Sequence, residues 1–207
     1  KKFFTKLEIL IIAAMYEANT VFSEQLLAWY NVSFRQLPWR ETKDPYAIWL
    51  SEVILQQTRV EQGTNYYFAF LERFPTILDL ANAPQDEVLR LWQGLGYYSR
   101  ARNLHATAML IRDQYEGAFP STYSEILALP GIGPYTAAAI ASFAFNIPEA
   151  VVDGNVYRFL SRLYEIQTPI DSSKGQKEFK LLAQSLLNIK QPGDFNQAMI
   201  EFGAMVC

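Results

Sequence analysis

Two stretches carry groups whose types and spacing could do chemistry. In the first, the apolar segment Ile126 to Leu129 runs into Pro130-Gly131-Ile132-Gly133, and a helix opens at Pro134. Proline costs little there, because the first helical amide has no intrahelical partner. Gly131 and Gly133 flank one apolar residue, so the turn can bend tightly and bring its backbone close to a partner. The helix that follows aims free N–H groups and the positive dipole end at that partner. The result is an anion site made of backbone, suited to one nucleic-acid phosphate, although an ordinary helix–turn–helix connection uses the same residues. The second stretch is a helix starting at Asp44-Pro45 and running from Tyr46 to about Val60. On it Glu52 shares a face with Ile48 and Leu55. A carboxylate held among apolar neighbours has its pKa raised by desolvation, whereas one on the helix edge faces water.

Other groups suit nucleic acid. Gln56-Gln57-Thr58-Arg59 offers amides, a hydroxyl and a cation that reach bases and phosphates, and such residues are also ordinary on any surface. Gly94-Leu95-Gly96-Tyr97-Tyr98-Ser99-Arg100-Ala101-Arg102 sets two tyrosines and two arginines on a glycine-bounded turn. Tyrosine rings can wedge between or stack on bases while arginine holds phosphate, and a purely structural tyrosine pair is the alternative. In Leu37-Pro38-Trp39-Arg40 the tryptophan either plugs a junction or touches DNA. Asp153 reads first as the N-cap of a helix from Val156 to Tyr164. One histidine, His105, leaves no His-rich metal site and no support for a Ser-His-Asp set.

The elements that must position these groups read almost entirely as helices. Ser23 is expected to cap a helix running to Tyr30. Further helices are expected over Thr64–Phe74, Ile77–Ala81, Gln85–Leu91, Arg100–Tyr115, Ala137–Phe145, Lys177–Leu187 and Asn196–Val206, with no alternating strand pattern. Hydrophobic residues at 50% supply a core, and the net charge of -3 argues against a chain coated in phosphates while leaving room for a local basic groove. The single cysteine, Cys207, excludes an internal disulfide framework and makes a reducing compartment the default. A chain that stops on its only cysteine reads as cut through a motif. At the other end, Lys1 to Lys6 is basic and Ile9 to Met15 apolar, a pattern read as a partly buried helix or a tag remnant rather than a targeting segment.

Leu-Pro-Gly-Ile-Gly followed at short distance by Val152-Asp153-Gly154-Asn155-Val156 resembles the helix-hairpin-helix DNA glycosylases of the endonuclease III superfamily. Leu37 to Arg40, Trp49-Leu50-Ser51-Glu52-Val53-Ile54-Leu55-Gln56-Gln57-Thr58 and Gly94 to Leu104 narrow the resemblance to adenine DNA glycosylases of the MutY type. It runs from about Phe22 to Cys207, with five motifs in the family's order.

The resemblance implies an all-α enzyme of two helical lobes with the active site in the cleft between them. One lobe, residues 41–149, would hold six helices and the hairpin; the other would gather 1–40 and 150–207. It implies removal of adenine mispaired with 8-oxoguanine or guanine. Glu52 would be the general acid that protonates N7 of the flipped base. Asp153 would stabilise or trap the sugar cation, in the two-carboxylate logic of retaining glycosidases, and Asn155 would orient Asp153 or the water. Gln57 and Tyr97 would fill and wedge the duplex, Gly131 and Gly133 would hold phosphate, and Trp39 and Arg40 would touch DNA. Bifunctional members carry a Schiff-base lysine where Tyr135 stands, and no lysine occurs from Asp44 to Ser173, so the reading is a monofunctional glycosylase. Thymine-mismatch glycosylases share the tyrosine, and a non-catalytic DNA-binding hairpin is the other alternative.

Phe202 to Cys207 matches the run into the first of the family's four iron–sulfur cysteines. The resemblance therefore implies a [4Fe-4S] cluster that one thiolate cannot hold. The family's C-terminal domain, which helps recognise 8-oxoguanine, has no match in these residues. The expected partner is double-stranded DNA bearing an adenine mispair, met by a monomer without a membrane. The expected location is the cytoplasm of a bacterium, with its nucleoid, or the nucleus or mitochondria of a eukaryote.

Overall fold

The structure, a computed structural model, describes the backbone of residues 6–207 and the side chains from residue 19 onward. The basic start and the side chains of the apolar run near it lie outside the described residues. The described chain is all-α, with eleven α-helices, one short 3-10 turn and no strand. No described helix is long and apolar enough to cross a membrane. The chain forms two compact units, residues 1–35 with 148–207, and residues 36–147.

The first unit comprises α1 (Lys6–Ser33), α9 (Gly154–Leu163), α10 (Ser173–Leu186) and α11 (Pro192–Met205). Leu26, Leu27 and Tyr30 of α1 share a core with Phe159 and Leu160 of α9, Phe179 of α10, and Phe195 and Met199 of α11. Ser23 does not start a helix here: α1 runs through it. Its hydroxyl donates to the Thr20 carbonyl at 3.1 Å, so its polar need is met inside the helix. Helices α9 and α11 approach each other closely. A Cβ on Gly203 would lie 2.2 Å from the Asn155 carbonyl oxygen, so only glycine lets the two helices meet there. A fully buried carboxylate, Glu201, accepts from the backbone N–H, Nε and Nη2 of Arg35 at 2.9, 2.8 and 2.7 Å.

The second unit contains the 3-10 turn Pro38–Arg40 and helices α2 (Pro45–Ile54), α3 (Val60–Arg73), α4 (Ile77–Asn82), α5 (Gln85–Leu91), α6 (Ser99–Tyr115), α7 (Tyr123–Ala128) and α8 (Pro134–Phe145). That makes seven α-helices rather than six. The extra one is α7, where the sequence shows only a short apolar run. Thr122 starts it by accepting from the Glu125 N–H at 3.3 Å.

At the centre lies α2. Asp44 caps it by accepting from the Tyr46 N–H at 3.0 Å, as its Asp-Pro start predicts. From Tyr46 to Ile54 every residue is buried except Glu52. A helix apolar on nearly all sides needs cover all round. Contacts come from α3, α6 and α8, and the small residues Ala137, Ala138, Ala139 and Ala141 let α8 pack close. The helix stops at Ile54 and not near Val60. Its last carbonyls, with that of Gln56 just beyond, are taken by a side chain far along the sequence: Arg100 Nη1 donates to Val53, Ile54 and Gln56 oxygens at 2.8, 3.0 and 2.6 Å. Gln57 then turns the chain through a left-handed φ of 57°.

Candidate functional site

The hairpin forms as its sequence predicts. Leu129–Gly133 links α7 to α8, Gly131 adopts φ 73° and Gly133 is the N-cap of α8. The apolar residue between the glycines, Ile132, turns inward and is buried. Both glycines are exposed, as is Pro134. Two α6 side chains brace the turn. Thr107 Oγ1 donates to the Pro130 carbonyl at 2.6 Å. Asn103 packs against Gly131 so closely that a Cβ there would sit 2.9 Å from the Asn103 Cβ. Tyr135 is half-buried in the first turn of α8.

Glu52 stands half-buried on α2, between the buried Ser51 and Val53. Its setting is a helix whose neighbouring residues are sealed in protein. Trp39 packs edge-to-face on Tyr67 of the same unit, with ring centroids 5.5 Å apart. Burial pushes the Tyr67 hydroxyl up to about 12, aided by Asp44, so it stays a neutral donor. Arg40 closes the 3-10 turn beside Trp39.

Gln57 and Tyr97 are both exposed, Tyr97 by 66%. Arg100 is not the outward phosphate ligand suggested by its motif. It points inward, and burial lowers its pKa from the ordinary arginine value. Besides the three α2-end carbonyls, its Nη2 donates to Leu95 and Gly96 oxygens at 3.2 and 3.5 Å. Arg102, next along, is exposed and keeps the phosphate reading open. The sole histidine, His105, is buried with Nε2 at 3.0 Å from the Ala83 carbonyl, a structural use.

In the other unit the loop before α9 forms a second centre. Asp153 is the N-cap of α9: its Oδ1 accepts from the backbone N–H groups of Asn155 and Val156 at 3.0 and 2.8 Å. Its Oδ2 accepts from Asn155 Nδ2 at 2.7 Å. Burial raises the Asp153 pKa above the ordinary carboxylate value, and these hydrogen bonds pull it back. The carboxylate is thus oriented by three donors yet poorly hydrated. Such a group offers negative charge to a cation forming beside it. Arg158, one turn on, was not singled out by sequence. Its Nη1 donates to Asn155 Oδ1 at 3.3 Å and to the Gly203 carbonyl at 2.8 Å, which keeps the Asn155 amide turned toward Asp153. The only available signal was its place one helical turn after Asn155.

The structure therefore joins Asp153 with Asn155, and ties the carbonyls of Gln56 and Gly96, the residues before Gln57 and Tyr97, to one guanidinium. Glu52 and Asp153 belong to different units. Among the described residues no group of three or more His, Cys, Asp or Glu side chains could hold a metal. Cys207 is half-buried at the end of α11 and supplies one thiol. A [4Fe-4S] cluster takes four thiolates, so the residues present do not fit that cluster by themselves.

A family model described as HhH-GPD superfamily base excision DNA repair protein matches residues 50–184. Adenine DNA glycosylase of Buchnera aphidicola (subsp. Baizongia pistaciae) is 44% identical over 90% of this chain and 53% of its own length. Adenine DNA glycosylase of Homo sapiens is 45% identical over 91% of this chain and 36% of its own. The chain thus spans about half or less of the relatives it matches. A solved structure of a thermostable thymine-DNA glycosylase superposes with a TM-score of 0.82 at 30% identity, covering 93% of this chain and 88% of that one.

Proposed function

Since the chain belongs to the HhH-GPD superfamily of base excision DNA repair proteins, we propose that it is the catalytic part of a monofunctional adenine DNA glycosylase acting on adenine paired with 8-oxoguanine or guanine. The observation that carries the reading is that relatives of that name match nine-tenths of this chain at 44% and 45% identity. The hairpin grips a duplex phosphate through Gly131 and Gly133, with Trp39 and Arg40 as further DNA contacts. Gln57 and Tyr97 enter the stack, and the target adenine leaves it. Glu52 gives its proton to N7 of the base. The C1′–N9 bond then breaks with its electron pair going to adenine, and the Asp153 carboxylate stabilises the sugar cation, held in place by Asn155. Water adds to C1′, and the proton it loses restores the Glu52 carboxyl. Products are free adenine and an abasic site on an unbroken strand, since Tyr135 supplies no amine. Cys207 would serve as one of four cluster ligands, and no step passes through that cluster.

The likeness to a thymine-DNA glycosylase favours one second reading, removal of thymine from a guanine mispair. Single-turnover assays on 8-oxoguanine·adenine and guanine·thymine duplexes, run side by side, decide between the two. Adenine release with the strand left intact until alkali treatment supports the first. Glu52→Gln is expected to abolish release while duplex binding persists; release at the wild-type rate would overturn the assignment of the acid.

A further inference from the structure

Gln57 and Tyr97 share an unusual backbone state, at φ 57° and 46°. A residue with a Cβ occupies that region only where its surroundings over-determine it. Glu116, Asn146 and Glu165 also have positive φ, but the first two are left-handed C-caps of α6 and α8 and the third directly follows the C-cap of α9, where the conformation is common. Gln57 and Tyr97 lie in separate turns, 40 positions apart in the chain. The peptide carbonyl immediately before each ends on the same side chain. Gln56 O accepts from Arg100 Nη1 at 2.6 Å, and Gly96 O from Arg100 Nη2 at 3.5 Å and from Trp92 Nε1 at 3.0 Å. Since φ is the rotation that follows that peptide plane, pinning the plane fixes how the next side chain is presented. The guanidinium is itself clamped, 5.0 Å from the Trp92 ring and 5.8 Å from the Tyr97 ring. Only a planar fork with several N–H donors serves two turns at once; a lysine ammonium does not.

Building on the reading that Gln57 and Tyr97 enter the duplex, we propose that Arg100 is the positioning residue that presents both wedges together, one guanidinium locking two turns so that they insert as a unit. Arg100 touches neither base nor sugar. It also ends the helix that carries Glu52, so wedge and acid share one support.

The test is Arg100→Lys in the full chain, which keeps the charge and loses the fork. Three readouts are compared with wild type. They are the fluorescence rise when a duplex carrying 2-aminopurine at the adenine position is bound, the single-turnover rate of adenine release, and amide exchange of the two turns without DNA. The variant should lose most of the fluorescence rise and slow release by roughly tenfold to hundredfold, with duplex affinity retained. Exchange should quicken in residues 55–58 and 95–98 together and not in α8. Adding Tyr97→Ala to Arg100→Lys should cost less than Tyr97→Ala costs alone, because both remove the same insertion. If Arg100→Lys melts below the assay temperature, Arg100→Gln, whose shorter side chain and single amide group cannot serve both turns, replaces it with the same expectations. Wild-type flipping by the variant, losses that multiply, or turns that loosen separately would each overturn the proposal. If the wild-type chain releases no adenine, the functional reading falls and the wedge role with it, while amide exchange still decides whether one guanidinium pins both turns.

Discussion

Gly203→Ala makes a stringent test of how the Asp153 centre is held. The added Cβ would start 2.2 Å from the Asn155 carbonyl oxygen and 2.6 Å from its carbon. Ordinary contact begins at 3.4 Å, so the first turn of α9 must retreat by about 1.2 Å or α11 must move away. Backbone on both sides leaves no flexible side chain to give way. Overpacking of this kind costs about 1–3 kcal/mol. In a chain of 207 residues each kcal/mol lowers the melting temperature by about 2–4 °C, so a drop of roughly 2–12 °C is expected. The catalytic effect is larger, since a displacement of about 1 Å in a positioned group costs on the order of a hundredfold in rate. The displaced residue is Asn155, whose amide holds Asp153 Oδ2 and whose N–H holds Oδ1. Calorimetry and single-turnover adenine release on one preparation give both numbers. A variant with the wild-type rate and a lowered melting temperature would refute the idea that the α9–α11 contact places the carboxylate. A variant unchanged in both would refute the steric argument itself.

Two further outcomes follow from buried carboxylates. Because burial raises the Asp153 pKa above the ordinary value of 3.8, folding favours the protonated form. The stability this gives is complete at acid pH and lost as pH rises through the folded pKa. Asp153→Asn keeps a good N-cap without the charge, so its melting temperature should gain on wild type between pH 4 and 7; a relative loss over that range would contradict the burial argument. Glu201→Leu removes a fully buried carboxylate that receives three Arg35 donors, and with the guanidinium partly exposed the loss should be about 2–3 kcal/mol in urea unfolding. A loss under about 0.5 kcal/mol would mean the pair is replaceable by packing.

What could be read in advance was local. Asp44-Pro45, the Pro-Gly-Ile-Gly-Pro turn and Asp153 before α9 announce themselves because cap, proline and glycine act on backbone within three residues of themselves. The end of α2 was misplaced because its C-terminal partner is Arg100, and nothing near Ile54 signals a stop. Ser23 misled for the opposite reason: its type suits a cap, but a hydroxyl bonded to the preceding turn serves equally well within a helix. Arg158 and Gly203 were invisible because their role arises only when α9 and α11 touch. Glu52 and Asp153 stand out in sequence only through their motifs, whereas the donors that orient Asp153 arise from the folded loop and the first turn of α9.

One face of α6 reaches the turns that carry Gln57 and Tyr97 through Arg100, and the hairpin through Asn103 and Thr107, at spacings of three and seven residues. A helix rises about 1.5 Å per residue, so the hairpin and the turns carrying Gln57 and Tyr97 are separated along a rigid ruler of about 10 Å. That length is written in residue count rather than in any contact with DNA. Deleting a single residue between Arg100 and Thr107 would turn the two ends by about 100° relative to each other, whereas most side-chain changes on the outer face would leave the gauge intact. The segment is therefore held to its length as well as to its letters.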